Sequence, residues 1–211
     1  MDKNFAVLFT RGVEEIIGKE ELIKKLESGK KLRIKHGVDP TTTDLHIGHA
    51  VNYHKLREFQ EQGHKIIFLI GDYTGRFGDP SDKTKTRQMR NKKDVGKLEK
   101  NYLDQVGKII DLKKAEIRHN SEWYDKFSGE DMLKLQSKFT VDRMLERDMF
   151  DNRRKNNQEI ACHEIVYPML QGYDSVEMNI DLEIGGTDQT FNMLCGRTLV
   201  KAMQNREKFI M

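Results

Sequence analysis

Lys31-Leu32-Arg33-Ile34-Lys35-His36-Gly37-Val38-Asp39-Pro40-Thr41-Thr42-Thr43-Asp44-Leu45-His46-Ile47-Gly48-His49 is the stretch that decides the fold of this chain. Residues 31–35 alternate polar and apolar, as a strand does, and the strand is expected to run to about Val38. A loop carrying Gly37, Pro40 and three threonines follows, and a helical pattern expected over 47–62 opens directly after His46. Strand, Gly- and Thr-bearing loop, then helix start is the layout in which a parallel sheet presents backbone N–H groups and a helix N-terminus to phosphates. His46 and His49, three residues apart in the first helical turn, lie on one face toward that crevice. Histidines in an HxGH-like tetrapeptide alone are more often structural or solvent-facing than catalytic, so its setting and three later segments carry the weight.

Working outward, helix 47–62 has Val51, Leu56 and Phe59 as apolar residues and Gly63 as its C′ residue. Lys65 to Gly71 is an almost continuous apolar run, as a buried parallel strand requires. It opens into the Gly- and Asp-rich loop 72–80, followed by a long polar helix expected over 87–111 and a strand from Ala115 to Arg118. This βαβαβ order predicts an α/β protein with a doubly wound parallel sheet and a ligand crevice at the carboxyl ends of its strands. Upstream, Val13, Ile16, Ile17, Leu22, Ile23 and Leu26 predict a helix over 11–30. Downstream, 123–164 changes to short charged helices and reads as an insertion between two halves of the sheet. The second half is expected as a helix over 164–178, a strand over 181–184, a helix from 188 and a last strand over 208–211. Four segments result: 1–30, N-terminal and helical; 31–122, first half of the nucleotide-binding domain; 123–164, helical insertion; 165–211, second half. Because Lys208-Phe209-Ile210-Met211 resembles the start of a buried strand, that second half is expected to be incomplete and the chain to be a fragment.

Thirty-seven basic against 34 acidic residues leave a formal net charge of +3, too balanced for a strong nucleic-acid field, although the basic stretch 83–90 is suited to phosphates. Cys162 and Cys195 form no metal-like spacing, and neither a secretory pattern nor an apolar span of membrane length is present. A reduced cytoplasmic protein without a metal site is expected.

Three further segments carry chemistry. Tyr167, Gln171 and Asp174 fall at i, i+4 and i+7 and share one helix face, with Ile165, Met169 and Val176 opposite. That face reads either as solvated or as a buried polar pocket, in which Asp174 holds a hydroxyl and Tyr167 and Gln171 an ammonium group. Pro168 is compatible with this helix only if the helix is just beginning there. Gly185-Gly186-Thr187-Asp188-Gln189 lies between a strand and a helix; two glycines let backbone approach a ligand, and Asp188 suits either an N-cap or a ribose hydroxyl. Gly78-Asp79-Pro80-Ser81 reads as a turn, after which Lys83 and Arg87 at i, i+4 are spaced to meet a polyphosphate.

Gly37 through Thr41 with His46 through His49, Gly78-Asp79-Pro80, Asn120-Ser121-Glu122-Trp123, Tyr167 through Asp174, and Gly185 through Gln189 occur together in this order. On these residues the chain resembles the catalytic domain of bacterial tyrosyl-tRNA synthetases, which are class I aminoacyl-tRNA synthetases with a Rossmann-like sheet. The resemblance implies that tyrosine and ATP form tyrosyl-adenylate and pyrophosphate, and that tyrosyl then passes to the 3′ end of tRNA(Tyr). By position, His46 and Thr41 would stabilise the γ-phosphate, His49 would lie against the ribose and α-phosphate, and Lys83 and Arg87 would hold pyrophosphate. Gly37, Asp39, Gly48, Gly186 and Asp188 would form the ATP site, with Gly48 leaving room for adenine and Gly186 and Asp188 at the ribose. Asp174 would accept the phenol O–H, Tyr167, Gln171 and Asp79 would bind the α-ammonium, Gln189 would contact the carboxylate region, and Asn120 would join the substrate site. A site built to pair a hydroxyl rejects phenylalanine by leaving its own polar group unpaired, a rule for which this enzyme family is itself the standard illustration. Mg2+ would accompany ATP without dedicated protein ligands, and the 123–164 insertion would form a homodimer interface and help receive the acceptor stem.

Two departures from the family pattern stand out. Many members have Tyr two residues before the glycine matching Gly37, where this chain has Lys35. The second family signature, a Lys-Met-Ser-Lys-Ser-like loop, is expected shortly beyond Met211 and would be followed by an anticodon-binding domain. Two other readings remain open: another HxGH-type nucleotidyltransferase, with a tryptophanyl enzyme as nearest relative, and a non-catalytic module that binds tyrosine, nucleotide or RNA. The Tyr167, Gln171 and Asp174 face speaks against the first, and the early end of the chain supports the second.

Overall fold

The computed structural model describes residues 7–40, 44–79 and 92–211. Thr41, Lys83 and Arg87, three of the expected phosphate contacts, lie outside these residues.

The sheet is built from β1 (Arg33–Val38), β2 (Lys65–Ile70), β3 (Glu116–His119), β4 (Leu182–Glu183) and β5 (Phe209–Ile210). Its order is β3-β2-β1-β4-β5 with every neighbouring pair parallel. This is a doubly wound sheet whose connections reverse direction between β1 and β4, the position at which open α/β sheets leave a crevice beyond the strand ends. Strand alternation sends Ile66, Phe68 and Ile70 into one core, with Leu22, Leu56, Phe59 and Tyr102, and Ile67 and Leu69 into a second core, with Trp123, Met169, Leu170 and Leu199. A strand buried on both faces has no room for polar alternation, which is why residues 65–70 read as a continuous apolar run.

The helices are α1 (Lys19–Glu27), α2 (Ile47–Glu61), α3 (Lys92–Val106), α4 (Ser121–Tyr124), α5 (Gly129–Gln136), α6 (Val141–Leu145), α7 (Asp148–Lys155), α8 (Cys162–Glu177) and α9 (Thr190–Gln204). Helix α2 ends as expected: Gly63 is left-handed (φ 79°), its N–H donates to the Gln60 carbonyl at 2.9 Å, and that of His64 to Phe59 at 3.1 Å. Helices α4 to α7 lie between β3 and α8.

Three expectations are corrected. Residues 11–30 are not one helix, because Gly12 (φ 67°) and Gly18 (φ 80°) are left-handed and interrupt it; Ile17 instead bridges antiparallel to Ile210, its N–H donating at 3.0 Å. The helix expected over 87–111 ends at Val106, ahead of Gly107. Pro168 lies inside α8 rather than in its first turn. The helix starts early because the Glu164 carboxylate accepts the Ala161 N–H at 2.9 Å and a bidentate pair from Arg153 at 2.8 and 3.1 Å. An interior proline costs roughly 3 kcal/mol, which packing against α9 outweighs. The two helices come close enough that a Cβ on Gly172 would stand 2.8 Å from the Gly196 backbone nitrogen.

Candidate active site

Beyond the carboxyl ends of β1, β2 and β4 lies a crevice of about 700 Å³, and it gathers every described residue that the sequence singled out: Gly37, Asp39, His46, Gly48, His49, Asp79, Asn120, Tyr167, Gln171, Asp174, Gly186, Asp188 and Gln189. These come from six separate stretches of chain, brought together by the strand order.

At the mouth, His46 is the N-cap of α2. Its Nδ1 accepts the Gly48 N–H at 3.2 Å, while His49 Nδ1 accepts the His46 N–H at 3.2 Å. The rings stack tilted with centroids 3.9 Å apart. Burial first, and then the neighbouring His46, lower the His49 pKa, which favours a neutral ring. Both imidazoles thus sit at a helix N-terminus, where the helix dipole favours an anion. A Cβ on Gly48 would press on the His46 ring at 3.0 Å, so a side chain there would crowd the mouth.

Further in, Asp39 joins the two halves of the chain. Its Oδ2 accepts the Tyr167 hydroxyl at 2.8 Å and its Oδ1 that of Thr74 at 2.8 Å; Asn120 Nδ2 donates to Thr74 at 2.9 Å, and its Oδ1 accepts the Tyr73 N–H at 2.8 Å. Burial, and then the Asp39 charge, push the Tyr167 phenol well above its ordinary range, so it remains a donor. Gly71 is compulsory here, since a Cβ would overlap the Asp39 carboxylate. Asn120 is fully buried, and its carboxamide organises Tyr73 and Thr74.

A second cluster centres on Asp79. Gln189 Nε2 donates to it at 2.6 Å, and Asn192 Nδ2 donates to Gln171 Oε1 and Gln189 Oε1 at 3.0 Å each. Arg147, brought by the loop before α7, lies 5.0 Å over the Phe191 ring, and Asp79 acts on it electrostatically. Asp188 is exposed beside Gly186, where a Cβ would overlap its carboxylate.

The closed end is lined by charge. Asp174 is 2 % exposed, its Oδ1 accepts the Trp123 indole N–H at 3.0 Å, and burial drives its pKa up to about 7 against the opposing pull of Lys35. Lys35 and Glu183, register partners on β1 and β4, pair at 2.8 Å. Glu183 also pairs with the buried Lys208, and its own pKa, which burial would raise, is held down to about 2 by Lys208 and Lys35 together. His36, on the other face of β1, holds its Nδ1 2.8 Å from the Ile184 carbonyl oxygen; burial lowers its pKa, leaving a neutral ring that donates there.

Gly71, Thr74, His36, Glu183, Asn192 and Arg147 were not picked out from the sequence. Only Asn192 carried a local signal, three residues after Gln189 on the same helix. Among the described residues no group of three or more His, Cys, Asp or Glu side chains is placed to hold a metal ion, and no helix is long and apolar enough to cross a membrane.

Residues 27–211 match the family model of the class I tRNA synthetases (W and Y). The chain belongs to this family. Tyrosine–tRNA ligases of Oleidesulfovibrio alaskensis and Idiomarina loihiensis are each 52 % identical to this synthetase chain, over 94 % and 95 % of its length and 50 % of theirs. The chain thus spans about half the length of the curated relatives it matches. A truncated mitochondrial tyrosyl-tRNA synthetase of Coccidioides posadasii superposes with a TM-score of 0.80 at 23 % identity, covering all of this synthetase chain and 66 % of that one. The Archaeoglobus fulgidus enzyme, solved with L-tyrosine, gives 0.75 at 22 % identity over 97 % of this chain and 61 % of that one. These two establish the shared fold.

Proposed function

We propose that this chain forms the ATP- and amino-acid-binding part of a tyrosine–tRNA ligase, which joins L-tyrosine to ATP as tyrosyl-adenylate and then transfers tyrosyl to the 3′ end of tRNA(Tyr). The observation that carries tyrosine is Asp174. A carboxylate accepts at about four lone-pair positions, so the bonds from Trp123 and Tyr124 leave capacity for a further phenol O–H at the closed end. One and two helix turns before Asp174, Gln171 and Tyr167 with Asp79 form the polar set for an α-ammonium, and Gln189 lies beside them for the carboxylate.

The tyrosine carboxylate then points toward α2, where ATP would lie along Gly37, Asp39 and Gly48, with its ribose at Gly186 and Asp188. A carboxylate oxygen attacks the α-phosphorus, and the bond to the bridging oxygen of pyrophosphate breaks. The nucleophile is already ionised, so no side chain has to act as a base. The protein contributes positioning and charge stabilisation. His46 and His49, held at the α2 N-terminus, face the phosphates; Thr41, Lys83 and Arg87 keep the phosphate roles that the resemblance assigns. Mg2+ would enter with the ATP phosphates. The insertion is proposed as the homodimer and acceptor-stem surface, which the exposed Leu133 and Val141 support.

Calorimetric titration of the chain with L-tyrosine, L-tryptophan and L-phenylalanine tests the amino-acid assignment. Preference for tyrosine is expected, and preference for tryptophan overturns it. Tyrosine-dependent ATP–pyrophosphate exchange tests the reaction.

A further inference from the structure

Lys35 stands two residues before Gly37 on β1, and its surroundings are unusual. It is 0 % exposed, yet it lines the same crevice as Asp174, and its hydrogen-bond partner Gln171 lies one turn before Asp174 on α8. Its ammonium donates to the Gln171 carbonyl on α8 at 3.0 Å and to Glu183 on β4 at 2.8 Å. Glu183 in turn takes Lys208 and, at 3.2 Å, the Ser175 hydroxyl, and Lys208 donates to the Met193 carbonyl at 3.0 Å. Two ammonium groups therefore share one carboxylate in a dry interior.

An unbalanced charge in such a place is costly, and the nearby carboxyl group of Asp174 is the group that can balance it. With Asp174 ionised, Lys35, Lys208, Glu183 and Asp174 sum to zero; with it protonated, a positive charge is left over. The remaining neighbours of Asp174 are Trp123 and Tyr124 from α4 and Tyr167 from its own helix, none of which supplies a positive charge. The Gln171 carbonyl bond also fixes α8, which carries Tyr167, Gln171 and Asp174, to the central strand.

We infer that Lys35 is a specificity-determining positioning residue: clamped between Glu183 and the Gln171 carbonyl, its ammonium is the counter-charge that keeps Asp174 a carboxylate acceptor for the hydroxyl of the amino acid. This rests on the tyrosine reading above. It gives position 35 a role: selection for the hydroxyl comes from a buried charge that acts on Asp174.

The test is the ratio of L-tyrosine to L-phenylalanine affinity, measured by calorimetry at pH 7 and pH 8, for the unaltered chain and for Lys35→Met, with circular dichroism as the check of folding. Loss of the ammonium leaves Lys208 and Glu183 balanced and the Asp174 charge without a counter-charge, so the ratio is expected to fall about tenfold at pH 7, the worth of one charge-assisted hydrogen bond. It is expected to recover toward that of the unaltered chain at pH 8, where more of Asp174 ionises while Lys208, whose pKa burial lowers to about 8, still carries much of its charge. Packing loss alone would lower the ratio equally at both pH values, and that result overturns the proposal, as does an unchanged ratio. Should Lys35→Met not fold, Lys208→Met removes the other ammonium of the same cluster; the same pH-dependent loss is expected, and a pH-independent ratio overturns the proposal. If the unaltered chain itself shows no preference for tyrosine, the amino-acid reading fails first, an outcome distinct from a selective chain that is indifferent to Lys35.

Discussion

The indole N–H of Trp123 donates to Asp174 Oδ1 at 3.0 Å and so ties the closed end of the crevice to the only tryptophan of the chain. Ligand contact with Asp174 is expected to change the tryptophan emission. Asp174→Asn should weaken L-tyrosine binding roughly 10- to 100-fold, since a hydrogen bond to a charged group is worth about 1.5–3 kcal/mol, and leave phenylalanine binding nearly unchanged. Calorimetry with both amino acids, followed in parallel by fluorescence, checks this; equal losses for both would remove Asp174 from hydroxyl recognition.

Burial raises the Asp174 pKa to about 7. Tyrosine affinity is therefore expected to climb as pH rises through 7 and to level off above, while phenylalanine affinity does not follow this group. The effect on folding has the opposite sign. The folded pKa lies above the ordinary value of 3.8, so the stability gained from the neutral carboxyl is present at low pH and lost as pH rises toward 7. Dissociation constants measured between pH 5.5 and 8.5 provide the check.

Glu183 behaves in reverse. Held down to about 2 by Lys208 and Lys35, it contributes stability that is full above 4.5 and disappears as pH falls through its folded pKa. Glu183→Gln leaves two buried ammonium groups without their shared carboxylate and should cost about 3–5 kcal/mol at neutral pH. Urea unfolding at pH 7 measures it, and a change below about 1 kcal/mol would contradict the buried triad.

Two glycine substitutions should separate cleanly. A Cβ on Gly172 would meet the Gly196 nitrogen at 2.8 Å and the Cys195 carbonyl carbon at 3.0 Å, backbone atoms that cannot turn aside. Gly172→Ala is expected to destabilise by about 1–3 kcal/mol or more. Gly129, at the start of α5, has nothing within 4 Å, and Gly129→Ala should stabilise by about 0.4–1 kcal/mol through the unfolded chain. Thermal unfolding of both variants decides the matter.

His46 does two jobs that one pair of variants can divide. Its Nδ1 caps α2, and loss of a cap costs about 1 kcal/mol. His46→Asn retains a capping acceptor and should leave stability intact, whereas His46→Ala should lose it. If the imidazole serves the phosphates, both variants should depress pyrophosphate exchange alike; activity retained in His46→Asn would reduce the residue to a cap.

Local pattern alone determined much of this molecule. The apolar run 65–70 required a strand buried on both faces, Gly63 ended α2 through its left-handed backbone, and the i, i+4, i+7 spacing placed Tyr167, Gln171 and Asp174 on one face. These are short-range consequences of backbone geometry and hydrophobic periodicity, visible within a few residues. The strand order 3-2-1-4-5 was implied by the βαβ rhythm and completed only in space. What tertiary structure alone decided is the neighbourhood of each polar group. Nothing near Lys35 in the chain announces Glu183, its partner across the parallel register, and nothing near Asp39 announces Tyr167, 128 residues away. Pro168 could sit inside α8 because packing against α9 outweighs a local penalty. Burial, which moves the Asp174 and Glu183 pKa values in opposite directions, is a property of the assembled core: desolvation and through-space charge depend on what the fold brings within a few ångströms.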